Sequence, residues 1–303
     1  MNSTVETPPD TSPAAADLRV AQCGGTRVPG WRLGWAQLVG VHHPRYTEDS
    51  VAHASHLPEG GVAGAAQPLW LAVADGVGGG SHSEIAADAL VQHCTGMPHE
   101  LLGHADAMAR WMSLAEAQVQ LKLREVSLAP GAATLAAAWL APPDEAAGVA
   151  RGHLLRVGDA RLYRVEGQQV QALTVDQTYT SVGEPMPAGA TPDDPARMVG
   201  TGYMGEPELV PLQLPAGQTL VLCSDGLHRG LGPEMMAALL HDCEDLELAA
   251  WRLAAAARHN GSEDDITVLL AQAAAPAVPP HHTADGMYGT LRRWLGFGSP
   301  PPA

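Results

Sequence analysis

A chain of 303 residues is long enough to bury a sizeable core, as one large domain or two small ones. Its 33 acidic residues outnumber 17 basic ones for a formal charge of -16, which argues against nucleic acid as a partner, because phosphate backbones need a basic surface. The four cysteines, Cys23, Cys94, Cys223 and Cys243, form no CxxC pair, which excludes a zinc ribbon or a thioredoxin motif.

Taken in chain order, residues 1–18 are rich in Ser, Thr, Pro and Ala and read as a disordered tail. Their acidic residues Glu6, Asp10 and Asp17, and the lack of an apolar centre, speak against a signal peptide, so a cytoplasmic protein is expected. Residues 19–273 read as the folded domain. A first strand is expected at 35–41, then a polar loop, and a Gly- and Ala-rich loop over 53–67. The apolar run 70–74 is a strand ending at Asp75. Ser83 is placed as the N-cap of a helix over 84–94. A longer helix over 105–126 carries Met108, Trp111, Met112, Ala115, Val119 and Leu123 on one face, a stripe that suits packing against a sheet.

The segments 134–140, 152–157, 161–165 and 170–174 alternate like antiparallel strands with short turns. Residues 179–208 are irregular, with Pro185, Pro187, Pro192, Pro195 and Pro207, and a loop that long inside a domain is functional or mobile. A strand at 220–223, helices opening at Pro233 and spanning 246–258, and a strand at 266–270 complete the domain. Residues 274–303 read as a Pro/Ala-rich linker and a short amphipathic segment, 288–297, which holds the chain's only Phe. The longest apolar stretch, near 135–141, is too short to span a bilayer, so no integral membrane segment is expected. The order of strands and helices favours an α+β layered domain over a doubly wound parallel sheet.

The chemistry is carried by four aspartate clusters: Glu48-Asp49, Asp75-Gly76, Ser224-Asp225-Gly226 and Asp264-Asp265. Apolar strands that end in carboxylates can converge them at one sheet edge. Several carboxylates share a small site only with a cation between them, since like charges in a low-dielectric place repel. Oxygen-only clusters hold hard divalent ions such as Mg²⁺ or Mn²⁺. Gly76, lacking a Cβ, lets its own carbonyl approach such an ion. Each cluster alone could be an ordinary turn; their combination points to metal-assisted chemistry.

These residues fall in blocks whose order and local sequence resemble the metal-dependent serine/threonine protein phosphatases of type 2C, bacterial branch. The blocks are Thr47-Glu-Asp-Ser50, Val73-Ala-Asp-Gly-Val-Gly-Gly79, Gly131-Ala-Ala-Thr-Leu135 and Val157-Gly-Asp-Ala-Arg-Leu-Tyr-Arg164, followed by Leu173-Thr-Val-Asp176, Leu222-Cys-Ser-Asp-Gly-Leu227 and Asp264-Asp-Ile-Thr-Val268. The resemblance implies an αββα sandwich, two central, mostly antiparallel sheets flanked by helices. It implies two Mn²⁺ or Mg²⁺ ions, with a weaker third in bacterial members, and hydrolysis of phosphoserine and phosphothreonine by a metal-activated water. Asp75 bridges two ions in this scheme and the Gly76 carbonyl binds one. Asp225 and Asp264 complete the other ion's ligands, while Glu48 and Asp49 act through metal-bound water. Asp159 with Asp225 matches the third site. Phosphoprotein substrates and a cognate Ser/Thr kinase are the implied partners.

Three departures from the family pattern stand out. The phosphate-binding Arg is one place late, at Arg45; the Asn after the last metal Asp is Asp265; and the usual Gly-Gly-His is spread over Gly79, Gly80 and His82. His82 is a candidate general acid or a plain loop residue, and 179–208 occupies the place of the family's flap. A degenerate, non-catalytic phosphatase-like module that binds phosphoprotein or metal is the alternative that the shifted Arg45 and Asp265 leave open.

Overall fold

A computed structural model of the chain describes residues 18–42, 46–55, 65–77, 82–126, 130–144, 146–202, 204–241 and 243–274. The expected terminal tail and the 288–297 segment lie outside the described residues.

Strand alternation builds the layers. In β4 (Leu69–Val77), Leu69, Leu71 and Val73 enter one core and Trp70, Ala72 and Ala74 another. β5 (Ala132–Leu140) repeats this, with Ala136, Ala138 and Leu140 on one face and Leu135, Ala137 and Trp139 on the other. β10 (Thr219–Cys223) and β11 (Ile266–Ala273) send Leu220, Leu222, Leu269 and Ala271 into the first core, and Val221, Cys223, Val268 and Leu270 into a third. Strands buried on both faces read as near-continuous apolar runs, which is why these four were legible as strands.

The shared core lies between two sheets whose pairings are all antiparallel. One has the order β1 (Val20–Val28), β2 (Trp31–Leu38), β11, β10, β7 (Arg161–Glu166), β8 (Gln169–Ala172). The other has the order β3 (Ser50–Ser55), β4, β5, β6 (Val149–Val157), β9 (Val210–Pro215). Helices α1 (Ser83–Thr95), α2 (Ala105–Ser113) and α3 (Ala115–Val126) cover the five-stranded sheet. After the single turn of α4 (Tyr179–Val182), helices α5 (Asp225–Gly230), α6 (Pro233–His241) and α7 (Leu246–His259) cover the six-stranded one. The order helix, sheet, sheet, helix is the α+β sandwich expected.

Several local expectations change. The first strand is β1, whose mixed sequence VAQCGGTRV pairs at the sheet edge with β2 alone; its two glycines and exposed face erase the alternation. β2 runs over Trp31–Leu38 rather than 35–41. β3 runs into the start of the stretch read as a Gly- and Ala-rich loop, and β9 lies where no element was assigned. The 105–126 helix divides at Leu114, where the Ser113 hydroxyl donates back to the Arg110 carbonyl at 2.8 Å, a bond that competes with the helix ladder. The Met and Trp stripe packs on the five-stranded sheet as expected. Ser83 is not the N-cap. It is the first residue of α1 and buried, and the cap position is His82, at φ 102° with no side-chain capping bond.

Candidate metal centre

The sandwich delivers its carboxylates to one place by simple periodicity. Leu69, Leu71 and Val73 of β4 face between the sheets, and Asp75 is the next residue on that face. Leu220 and Leu222 do the same in β10, after which the chain turns into α5 with Asp225 as its first helical residue. Asp264 stands just before β11, Asp159 in the turn between β6 and β7, and Glu48 just before β3. Asp75, Gly76, Asp159, Asp225, Asp264 and Glu48 all line one cavity of about 470 Å³. The far wall comes from the 179–208 segment, through Tyr179, Pro187, Asp194 and Met198.

Not every candidate lies on that wall. Asp49 is buried behind it and lines a separate, smaller pocket with Gln37 and Asp88. Arg45 lies outside the described residues. His82 is not among the residues lining the cavity, and its Nδ1 sits 3.8 Å from Glu84. Among the described residues, no three His, Cys, Asp or Glu side chains are already gathered around a single point. A cation instead occupies the middle of the carboxylates: Arg229, whose Nη2 is 2.8 Å from Asp225 Oδ2 and 3.7 Å from Asp159 Oδ2, with Nη1 3.7 Å from Asp264 Oδ2. Sequence reasoning passed over Arg229. The available signal was its spacing, one helical turn after Asp225.

The Asp-Gly pairs have a packing reason beyond metal access. A Cβ on Gly76 would lie 2.7 Å from the Glu48 carbonyl oxygen, and one on Gly226 would lie 2.0 Å from the Asp265 carbonyl oxygen. Each glycine lets one carboxylate-bearing segment close against another. Asp265 completes the clamp, accepting the Gly40 N–H on Oδ1 at 2.5 Å and the Glu48 N–H on Oδ2 at 2.6 Å. An Asn could accept only one of these bonds, so the family departure at this position has a structural use. From behind, buried Arg258 donates to the carbonyls of Ser262, Val39 (2.9 Å) and Asp264 (2.8 Å), fixing the loop that carries Asp264.

Further bonds tie the blocks to one another and the flap-like segment to α3. Arg161 grips Asp176 through two bonds of 2.8 and 2.6 Å, joining two of the blocks read from sequence. His228 Nε2 meets the Asp159 carbonyl at 3.0 Å, and Glu116 of α3 accepts the N–H groups of Gly200 (2.8 Å) and Gly202 (2.6 Å).

Crowding sets the electrostatics. Burial first, and the neighbouring carboxylates second, hold Asp75 and Asp49 well above the usual carboxylate range. Burial raises Asp159 to about 7 and Asp225 to about 6, with Arg229 pulling both back. Asp225 Oδ1 is buried without a hydrogen-bond partner, and the Asp225 and Asp75 carboxyls lie close enough to share a proton. Both Asp49 oxygens are buried without a hydrogen bond of ordinary geometry, although the Thr267 and Ser224 hydroxyls lie close enough to favour its ionised form. Orphaned, mutually repelling oxygens are a donor set that suits hard divalent cations, so these residues fit such ions.

A pH dependence follows for the metal-free protein. The unfolded chain loses these protons near pH 4, whereas folded Asp225 and Asp159 keep theirs to about 6 and 7. Their contribution to stability is therefore complete below about pH 4 and lost as pH rises through about 7. Half-buried His53, His93 and His228 have lowered pKa values and act in the opposite sense on the acid side, so the comparison is with a variant. In chelator, melting temperature should fall between pH 5 and 8 by about 2–4 °C more in the wild type than in Asp159→Asn, the size of ~1 kcal/mol in a domain of this length. Equal falls in the two proteins would remove Asp159 from the coupled set.

Comparison with known proteins agrees with this architecture. A family model for protein phosphatase 2C matches residues 60–247. The serine/threonine protein phosphatase PstP of Mycobacterium tuberculosis is 31% identical over 214 residues, covering 66% of this chain and 40% of PstP, so the chain spans less than half of that curated relative. The crystal structure of PstP superposes with a TM-score of 0.63 at 22% identity, covering 80% of this chain and 98% of that one. The PstP catalytic domain in complex with two manganese ions gives 0.59 at 22% identity, covering 80% and 97%. Stp1 from Staphylococcus aureus gives 0.63 at 18% identity, covering 82% and 96%. At these identities the solved structures establish the fold, and the family match extends over more than half of the chain. The chain belongs to the protein phosphatase 2C family.

Proposed function

We propose that residues 19–273 form a bacterial, cytoplasmic phosphatase domain that hydrolyses phosphoserine and phosphothreonine in proteins, reversing the action of a Ser/Thr kinase. The observation that carries this reading is the meeting of Asp75, Asp159, Asp225, Asp264 and Glu48, remote in sequence, on one cavity between the sheets. Asp75, the Gly76 carbonyl, Asp225 and Asp264 would hold the cations, with Glu48 ordering water around them from the cavity wall and Asp49 kept behind that wall. Bound Mn²⁺ or Mg²⁺ ions supply an activated water and the positive charge that offsets the phosphate oxygens.

What the chain adds is position and exclusion. Among the described residues, no Ser, Thr, Cys or His lines the cavity, so the reading assigns the attacking oxygen to water rather than to a side chain. Cys223 is buried, and burial pushes its thiol up, which leaves it inert. Arg45 is assigned to the substrate phosphate, and Tyr179, Pro187 and Met198 at the far wall to the polypeptide around it.

The test is hydrolysis of p-nitrophenyl phosphate and of phosphothreonine peptides with Mn²⁺, Mg²⁺ or chelator. Turnover of both substrates, at least about 100-fold faster with metal than in chelator, is expected. Turnover of the small ester alone would make the chain a small-molecule phosphohydrolase. Metal binding without turnover would make it a phosphatase-like binding module.

A further inference from the structure

Arg229 is the one Lys or Arg among the described residues lining the carboxylate cavity. It belongs to α5, four residues after Asp225, so backbone geometry alone brings it over the Asp225 carboxylate. The same nitrogen that lies 2.8 Å from Asp225 Oδ2 also faces Asp159 Oδ2 at 3.7 Å. Those are the two carboxylates that the family resemblance pairs around a third metal ion. We propose that the guanidinium of Arg229 is a built-in cation at the Asp159–Asp225 pair, taking the place of that third ion, so that this chain binds two divalent ions and not three.

The argument is one of space and charge. An ion shared by Asp159 and Asp225 would have to sit about 2.0–2.6 Å from an oxygen of each. Arg229 Nη2 already stands between those oxygens, and a second cation there would be repelled by a group that does not lose its proton in proteins. The guanidinium is planar and spreads its donors, so Nη1 reaches towards Asp264 while Nη2 spans the other two carboxylates. The side chain is 49% exposed, so the arginine is held by this trio of acids and not by a packed pocket. The same charge also lowers Asp159 and Asp225 against the rise that burial imposes.

The inference rests on the proposed two-ion centre, and the test separates the two. Mn²⁺ is titrated into the full chain, and bound ions are counted by calorimetry and by the loss of the free-ion electron paramagnetic resonance signal. The wild type is expected to bind two ions. Arg229→Gln should bind a third, at least about tenfold more weakly than the first two, and adding Asp159→Ala should return the count to two. Arg229→Lys keeps the charge and should stay at two. Circular dichroism and the two retained tight sites establish that each variant is folded. Three ions in the wild type, or two in Arg229→Gln, would overturn the role of Arg229 while leaving the two-ion centre intact. No tight Mn²⁺ binding by the wild type would overturn both.

Discussion

Asp75→Asn is expected to abolish Mn²⁺-dependent turnover, with a loss on the order of 10³-fold or more, while making the metal-free protein more stable. The two effects have one cause. Asp75 lines the cavity half-buried, and its pKa is driven up by burial and by Asp225, Asp49, Asp159 and Asp264 in turn. Near neutral pH the folded metal-free protein bears the cost of ionising it beside those groups, or of holding a proton the unfolded chain would release. An amide of the same shape carries no such cost, which is how sites built for chemistry come to be destabilising. In the metal-loaded protein the balance reverses, because the amide oxygen is a weaker ligand for a hard cation than a carboxylate. The measurements are kcat with saturating Mn²⁺, and melting temperature in chelator and in Mn²⁺. The variant should melt higher than wild type in chelator and gain less from Mn²⁺. Turnover within tenfold of wild type would remove Asp75 from the centre.

Arg258→Met should cost about 3–5 kcal/mol of stability and weaken Mn²⁺ binding by roughly tenfold, although Arg258 does not line the cavity. Its guanidinium is buried and donates to three carbonyls, those of Ser262, Val39 and Asp264. Methionine fills similar volume but leaves those oxygens without their donor, two of them buried and one half-buried. The Asp264 carbonyl is one of them, so the loop bearing a proposed metal ligand loses its rear support. Urea unfolding in chelator reads the first effect and calorimetric titration of Mn²⁺ the second. A stable variant with unchanged affinity would make Arg258 a bystander.

The layers of the fold were legible because burial on both faces writes itself into composition. The runs at 70–74, 220–223 and 266–270 are nearly all apolar, and each became a central strand. β1 and β3 lie at sheet edges, where alternation is relaxed and sequence carries little signal. The candidate site was legible through Asp75 and Asp225 because a carboxylate after an apolar run is unusual on packing grounds alone. The sequence offered no equivalent signal for Arg258, since a buried arginine donating to backbone carbonyls looks like any other arginine on a helix. For Asp265, the block resemblance pointed to a lost amide. The geometry points to a gained second acceptor, which became visible only with Gly40 and Glu48 in place.

Among the described residues β11 is the last strand, yet it lies inside its sheet between β2 and β10. A ribosome must therefore release nearly all of the domain before β2 can find its partner on that side, since its pairing spans Trp31 with Ala273. Until then β2 and β10 are separated by a missing neighbour, and Asp264, which precedes β11, has no fixed position. The proposed metal centre therefore cannot be complete in the nascent chain until β11 is in place between its two neighbours.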